Sequence, residues 1–311
     1  MAGGAAIAKP RRILPGDTVG VVAPAGAVDE ARLRTGLAVL EGLGLRPRLG
    51  AATLERRAYL AGPDEARRAD LMACLADPDV RAIFCARGGY GSQRIVPALD
   101  FAALRADPRP IVGYSDNTAL LGAVVGAGVA AVHGPMVATD IARGLTARSL
   151  DQLWRTVSDP TFLPATEVPT GVRPGRARGR LVGGCLSVVV ATLGTPWALD
   201  TDGAILFLED VHEWPYRLDR LLVQLAQAGK LARVAGVVFG TMAACRTADG
   251  VAPLDVVRTA FASAPFPVGF GVPAGHDPAE QEVENLALPL GTPVELDVDA
   301  GRLVALEPAV V

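Results

Sequence analysis

From Asp17 to Gly134 short apolar runs alternate with amphipathic ones, and the two periods assign the elements. Thr18 to Ala23, Val80 to Ala86, Ile111 to Tyr114 and Ala130 to His133 read as buried strands. Asp29 to Leu40, Asp64 to Leu75 and the stretch from Asp116 read as helices. Strands and helices in alternation imply a parallel sheet covered on both faces, with ligands gathering at the carboxyl ends of the strands. Those ends carry Pro24-Ala25-Gly26, Arg87-Gly88-Gly89-Tyr90-Gly91 and Tyr114-Ser115-Asp116.

The pattern changes between Ala142 and Arg180, where Pro160, Pro164, Pro169 and Pro174 precede a short basic run. We read three parts: an α/β domain over 1–141, an interdomain linker over 142–180 and a smaller mixed α/β domain over 181–311. The last part has strands at Ala204 to Leu208 and Val234 to Phe239, and helices at Tyr216 to Gln227 and Leu254 to Ala262. It closes in short runs, Leu286 to Leu288, Val294 to Val298 and Leu303 to Leu306, with antiparallel hairpin character.

Thr118 to Ala138 and Leu181 to Leu199 lack charged residues over membrane-like lengths. Glycine and proline interrupt both, so each reads as a buried helix joined to a buried strand, and no membrane partner is expected. A net charge of −3 gives no electrostatic reason for a nucleic-acid partner. Four scattered cysteines without a CxxC pair argue against disulfides and a zinc site. The basic residues near the N-terminus follow a small-residue stretch, the reverse of a secretory signal, so the expected compartment is the cytoplasm.

The candidate chemistry sits at strand ends. Ser115 lies where a strand passes into an apolar helix, a place that suits either a helix cap or a nucleophile whose developing charge faces helix amides. Gly113 gives the bend room, while Asn117 stands where a nucleophile elbow has its second glycine. The Asp116 amide is placed to receive an oxyanion, and Gly88 or Gly89 can supply a second donor. Glu209 follows an apolar strand and can orient a histidine, or can belong to a solvated acidic loop. His276 lies in a Gly/Pro-rich loop; His133 and His212 are its only rivals. Cys185, after Leu181-Val182-Gly183-Gly184, is a second possible nucleophile or a packed residue at a helix start. Arg87 and Tyr90 are candidates for the substrate's carboxylate and for packing on a peptide.

Seven runs taken together resemble the LD-carboxypeptidase family of serine peptidases, which includes the microcin C immunity peptidases. They are GDTVGVVAPAG at Gly16, ARGGYG at Ala86, IVGYSDNTALL at Ile111, HGPM at His133, GGCLS with LGTPW after Gly183, ILFLEDVHEWPYRLDR at Ile205, and AGH with LPLG near the end. The resemblance implies a glutamine-amidotransferase-like domain bearing the serine and a C-terminal domain bearing the acid and the histidine. It implies a triad of Ser115, Glu209 and His276, an oxyanion hole from the amides of Gly89 and Asp116, no metal or organic cofactor, and a homodimer. The implied activity is cytoplasmic removal of the terminal D-alanine from murein tetrapeptides. The alternatives are hydrolysis of aminoacyl-nucleotide-like amides, as in the microcin branch, and a non-catalytic two-domain binding protein. Cys185 departs from the family's GGN, and the acidic stretch from Asp277 to Glu284 departs in length.

Overall fold

The computed structural model describes residues 7–311. Its strands are β1 (Thr18–Val22), β2 (Arg46–Leu49), β3 (Val80–Cys85), β4 (Ile111–Gly113), β5 (Ala131–His133), β6 (Ala165–Glu167) and β7 (Thr170–Arg173). Then follow β8 (Arg176–Cys185), β9 (Ile205–Val211), β10 (Gly236–Ala243), β11 (Val268–Phe270), β12 (Leu288–Leu290), β13 (Pro293–Asp297) and β14 (Arg302–Ala305).

They form two sheets. The first runs β12-β5-β4-β3-β1-β2, and its strands β1 to β5 are parallel. This is the doubly wound order 2-1-3-4-5, which reverses direction between β1 and β3 and opens a crevice at their carboxyl ends. The second runs β6-β14-β13-β8-β9-β10-β11-β7, with β8 to β11 parallel and antiparallel strands on either side. The two-part mixed α/β architecture expected from the sequence is what folds.

Local chemistry explains the boundaries. β1 is apolar along most of its length because both of its faces are covered, as in a central parallel strand. The helix Glu30–Gly42 starts where the Asp29 carboxylate accepts the Arg32 amide at 2.9 Å, and it stops before Gly44 at φ 82°. The helix Thr118–Gly126 is buried from Thr118 to Val125, which accounts for its charge-free sequence. Among the described residues no helix is long and apolar enough to cross a membrane.

The stretch 142–180 carries the helix Ala147–Ser158, β6, β7 and the start of β8. Its prolines sit around the short strands β6 and β7, at the two outer edges of the sheet, where a missing N–H costs no ladder bond. The run at Leu286 to Leu288, expected in the terminal hairpins, instead leads into β12, which pairs antiparallel with β5 and makes an edge of the first sheet. The C-terminal half therefore completes the sheet of the N-terminal half.

The halves also meet at the end of β8. Gly184, at φ 141°, lies so close to the helix Thr118–Gly126 that a Cβ there would stand 2.5 Å from Thr118 Oγ1. The same hydroxyl accepts the Cys185 amide at 3.0 Å. Gly184→Ala combines an unfavourable backbone conformation with overpacking and should cost about 1–3 kcal/mol. Calorimetric melting should show a midpoint several degrees lower, and an unchanged midpoint would mean that this closure does not limit stability.

Candidate active site

β4 ends at Gly113, where an added Cβ would stand 3.0 Å from Cys85 Sγ, so the strand passes its neighbour only without a side chain. Tyr114 is extended, and Ser115 then turns into the left-handed region at φ 61°. A serine held there carries backbone strain of about 1–3 kcal/mol, the kind that accompanies sharp nucleophile turns. Asn117 does more than replace a glycine. Its Nδ2 donates to the carbonyls of Arg87 at 3.2 Å and Tyr114 at 3.3 Å, tying the serine's turn to the glycine loop after β3.

Asp116 fastens the same loop from the other side. Its buried carboxylate accepts the Ser92 amide at 2.8 Å, and its carbonyl accepts the Ser92 hydroxyl at 2.5 Å. Burial raises the Asp116 pKa against those hydrogen bonds. The loop backbone is thereby pressed against the serine: a Cβ on Gly88 would lie 2.8 Å from Ser115 Cβ and 3.3 Å from the Asp116 nitrogen. Gly89, at φ 97°, follows in a conformation that suits glycine.

The other two residues arrive from the second sheet. Glu209 is on β9 and fully buried, and His276 is in the loop after β11. His276 Nε2 is 3.0 Å from Ser115 Oγ, and His276 Nδ1 is 2.7 Å from Glu209 Oε2. The His276 amide donates to that same oxygen at 3.2 Å. Serine, imidazole and carboxylate thus form one continuous hydrogen-bonded chain, although the outer residues of each pair lie 161 and 67 positions apart in sequence.

The charges of the pair shift together. Burial works to raise the Glu209 pKa, but the imidazolium charge and the hydrogen bonds from His276 outweigh it and hold the carboxyl low. Burial likewise works against a charged His276, and the Glu209 carboxylate overcomes it, so the imidazole titrates above the ordinary 6.5.

The rival residues sit elsewhere. His133 is buried against Phe207 and Tyr114, with its pKa pushed down to about 4 by desolvation. His212 is an exposed residue at φ 60°, beside the site rather than on the serine. Cys185 is buried, its thiol donates to Asp210 at 3.7 Å, and desolvation first, then the acids, hold it well above the ordinary thiol range. Among the described residues Arg87 has no acid partner; its guanidinium donates to the Ala27 carbonyl. Tyr90 is exposed and packs edge-on against Tyr59 at 5.7 Å.

Several supporting residues escaped the sequence reading. Tyr114 packs edge-on against the His276 ring at 4.9 Å and donates its hydroxyl to buried Asp140 at 2.9 Å. Arg143 joins Asp140 at 2.9 Å and also donates to the carbonyls of Asp277 and Ala279, which anchors the acidic stretch after the histidine. Thr241 Oγ1 donates to the His276 carbonyl at 2.6 Å, and Asn285 Oδ1 accepts the Gly275 amide at 2.9 Å. Tyr114 stood inside a run already singled out, whereas nothing local marks Asp140, Thr241 or Asn285.

Comparison with known proteins finds relatives over most of the chain. The model for the LD-carboxypeptidase N-terminal domain matches residues 19–134, and the model for the C-terminal domain matches 178–296. A Bacillus subtilis protein named "probable murein peptide carboxypeptidase" is 44% identical over 235 residues, covering 74% of this chain and 73% of that protein. The crystal structure of muramoyltetrapeptide carboxypeptidase from Oxalobacter formigenes superposes with a TM-score of 0.83 at 30% identity, covering 92% of this chain and 97% of that one. The microcin C7 self-immunity protein in its wild-type apo state superposes at 0.88 with 22% identity over 98% of this chain and 100% of its own, a likeness of fold alone. By both domain models, matched in order, the chain belongs to the LD-carboxypeptidase family.

Proposed function

We propose that this protein is a serine LD-carboxypeptidase that removes the terminal D-alanine from murein tetrapeptides. The observation that carries the reading is the hydrogen-bonded line from Ser115 through His276 to Glu209. The murein names of its relatives support the substrate class. Four unpaired cysteines favour a reducing compartment, and with it peptidoglycan recycling in the cytoplasm. The division into 1–141, 142–180 and 181–311 and assembly as a homodimer belong to the same reading.

The chemistry follows from the geometry. Ser115 Oγ attacks the carbonyl carbon of the L-to-D amide while its proton passes to His276 Nε2. Charge growing on the carbonyl oxygen is received by the amides of Gly89 and Asp116. Glu209 compensates the imidazolium and keeps the ring oriented, after which His276 returns the proton to the nitrogen of the departing D-alanine. Water then enters by the reverse proton path and frees the acyl chain.

Three outcomes test the roles. Ser115→Ala should lose about 10⁴-fold or more in D-alanine release from a purified tetrapeptide; release at the unaltered rate would end the assignment. Glu209→Gln should keep the fold yet lose about 10³- to 10⁴-fold in kcat, because the ring loses both its orientation and its countercharge. Since Nε2 must be free of its proton to act as base, kcat/KM should fall tenfold per pH unit on the acid side, with a midpoint above 6.5. A midpoint below that value would contradict the His276–Glu209 coupling. An aminoacyl sulfamoyl adenosine run beside the tetrapeptide separates the microcin-type activity, and a serine-reactive probe that fails to label Ser115 would favour a binding protein.

A further inference from the structure

The sequence offered Arg87 for the substrate's terminal carboxylate, but its guanidinium is turned onto the Ala27 carbonyl. A carboxypeptidase still has to meet that carboxylate, and the direction of proton transfer says where. His276 delivers its proton to the departing nitrogen, so the departing residue lies on the imidazole's side of Ser115. A cavity of about 380 Å³ opens on that side, walled by His276 and Tyr114 and without Ser115 in its lining.

The cations of that cavity are not equivalent. Arg143 lines it, but Asp140 neutralises its guanidinium and two loop carbonyls accept from its Nη1. Asp277 also lines it, with its carboxylate turned to the amides of its own loop, Ala279 at 2.9 Å and Glu284 at 2.8 Å. Arg32 reaches in from the first turn of the helix Glu30–Gly42. Among the described residues its guanidinium has no hydrogen bond and no carboxylate within 4.0 Å, even though Glu280 shares a neighbouring cavity with it. A guanidinium without a counterion, beside the place where a carboxylate must sit, is the natural bidentate receiver.

We propose that Arg32 binds the C-terminal carboxylate of the departing residue and thereby makes the enzyme an exopeptidase. This rests on the carboxypeptidase reading given above. Peptides that continue beyond the D-alanine, or end in an amide, lose the contact and also bring an extra group toward Arg143 and the loop from Asp277. Arg32 is exposed, so its replacement leaves the core intact.

The test uses the full chain carrying Ser115→Ala, with a murein tetrapeptide and its C-terminal carboxamide titrated by calorimetry. The free acid should bind about 10- to 100-fold more tightly than the amide, the range expected of one charge-assisted contact. Adding Arg32→Gln should remove that preference by weakening only the acid, Arg32→Lys should keep part of it, and His212→Gln should keep all of it. In the otherwise unaltered enzyme, Arg32→Gln should raise KM far more than it lowers kcat. A preference that survives Arg32→Gln, one that vanishes with His212→Gln, or no preference at all overturns the assignment. The parent reading is judged separately, by whether the unaltered protein releases D-alanine.

Discussion

A carboxylate buried as deeply as Glu209 must have its charge answered, and most of this structure can be read from that requirement. Leaving such an ion without a partner in the interior costs several kcal/mol. The answer comes from one imidazole and one amide, both of His276 and both on the same oxygen. Because β9 is central to its sheet, the carboxylate cannot move out to meet the histidine. The loop after β11 has to come to it. Gly275 allows this approach, since a Cβ there would stand 2.6 Å from Glu209 Oε2, and Thr241 and Asn285 fix the turn on either side.

The serine's side is built to the same tolerance by different means. Asn117 and Asp116 bind the turn of Ser115 to the glycine loop, so the serine and the candidate oxyanion donors are one connected unit. Tyr114 then connects that unit to the histidine's loop, through its ring contact with His276 and through Asp140 and Arg143 to Asp277 and Ala279. The acidic stretch after the histidine is thus held by one arginine at its backbone. Two of its acids are engaged as well: Asp277 accepts the amides of Ala279 and Glu284, and Glu284 pairs with Arg148 at 3.2 Å.

Parts of the site were legible because they are local. A left-handed serine between a buried strand and a helix follows from Gly113 and the apolar run after Thr118, and a carboxylate at the end of an apolar strand can be read at Glu209. Arg87 shows the limit of such reading. It is the basic residue nearest the glycine loop in sequence, yet its side chain satisfies a carbonyl of the loop after β1. Arg32, outside the motifs and six residues past the first of them, lines the cavity with no carboxylate within 4.0 Å among the described residues. In the stretch 142–180 the prolines signal interruption, and edge strands tolerate interruption as well as linkers do.

By itself the sequence determined what depends on neighbours along the chain: the periods of strands and helices, the caps, the glycines at bends, and the family to which seven ordered runs belong. It could not determine which ends meet. β12 joins the first sheet from the far end of the chain, and His276 bridges Ser115 and Glu209 across 161 and 67 residues. Hydrogen bonds of 3.0 and 2.7 Å between such distant positions come from the packing of two sheets against each other. Local propensity acts over a few residues, whereas a buried charge finds its partner only once the surrounding core has excluded water.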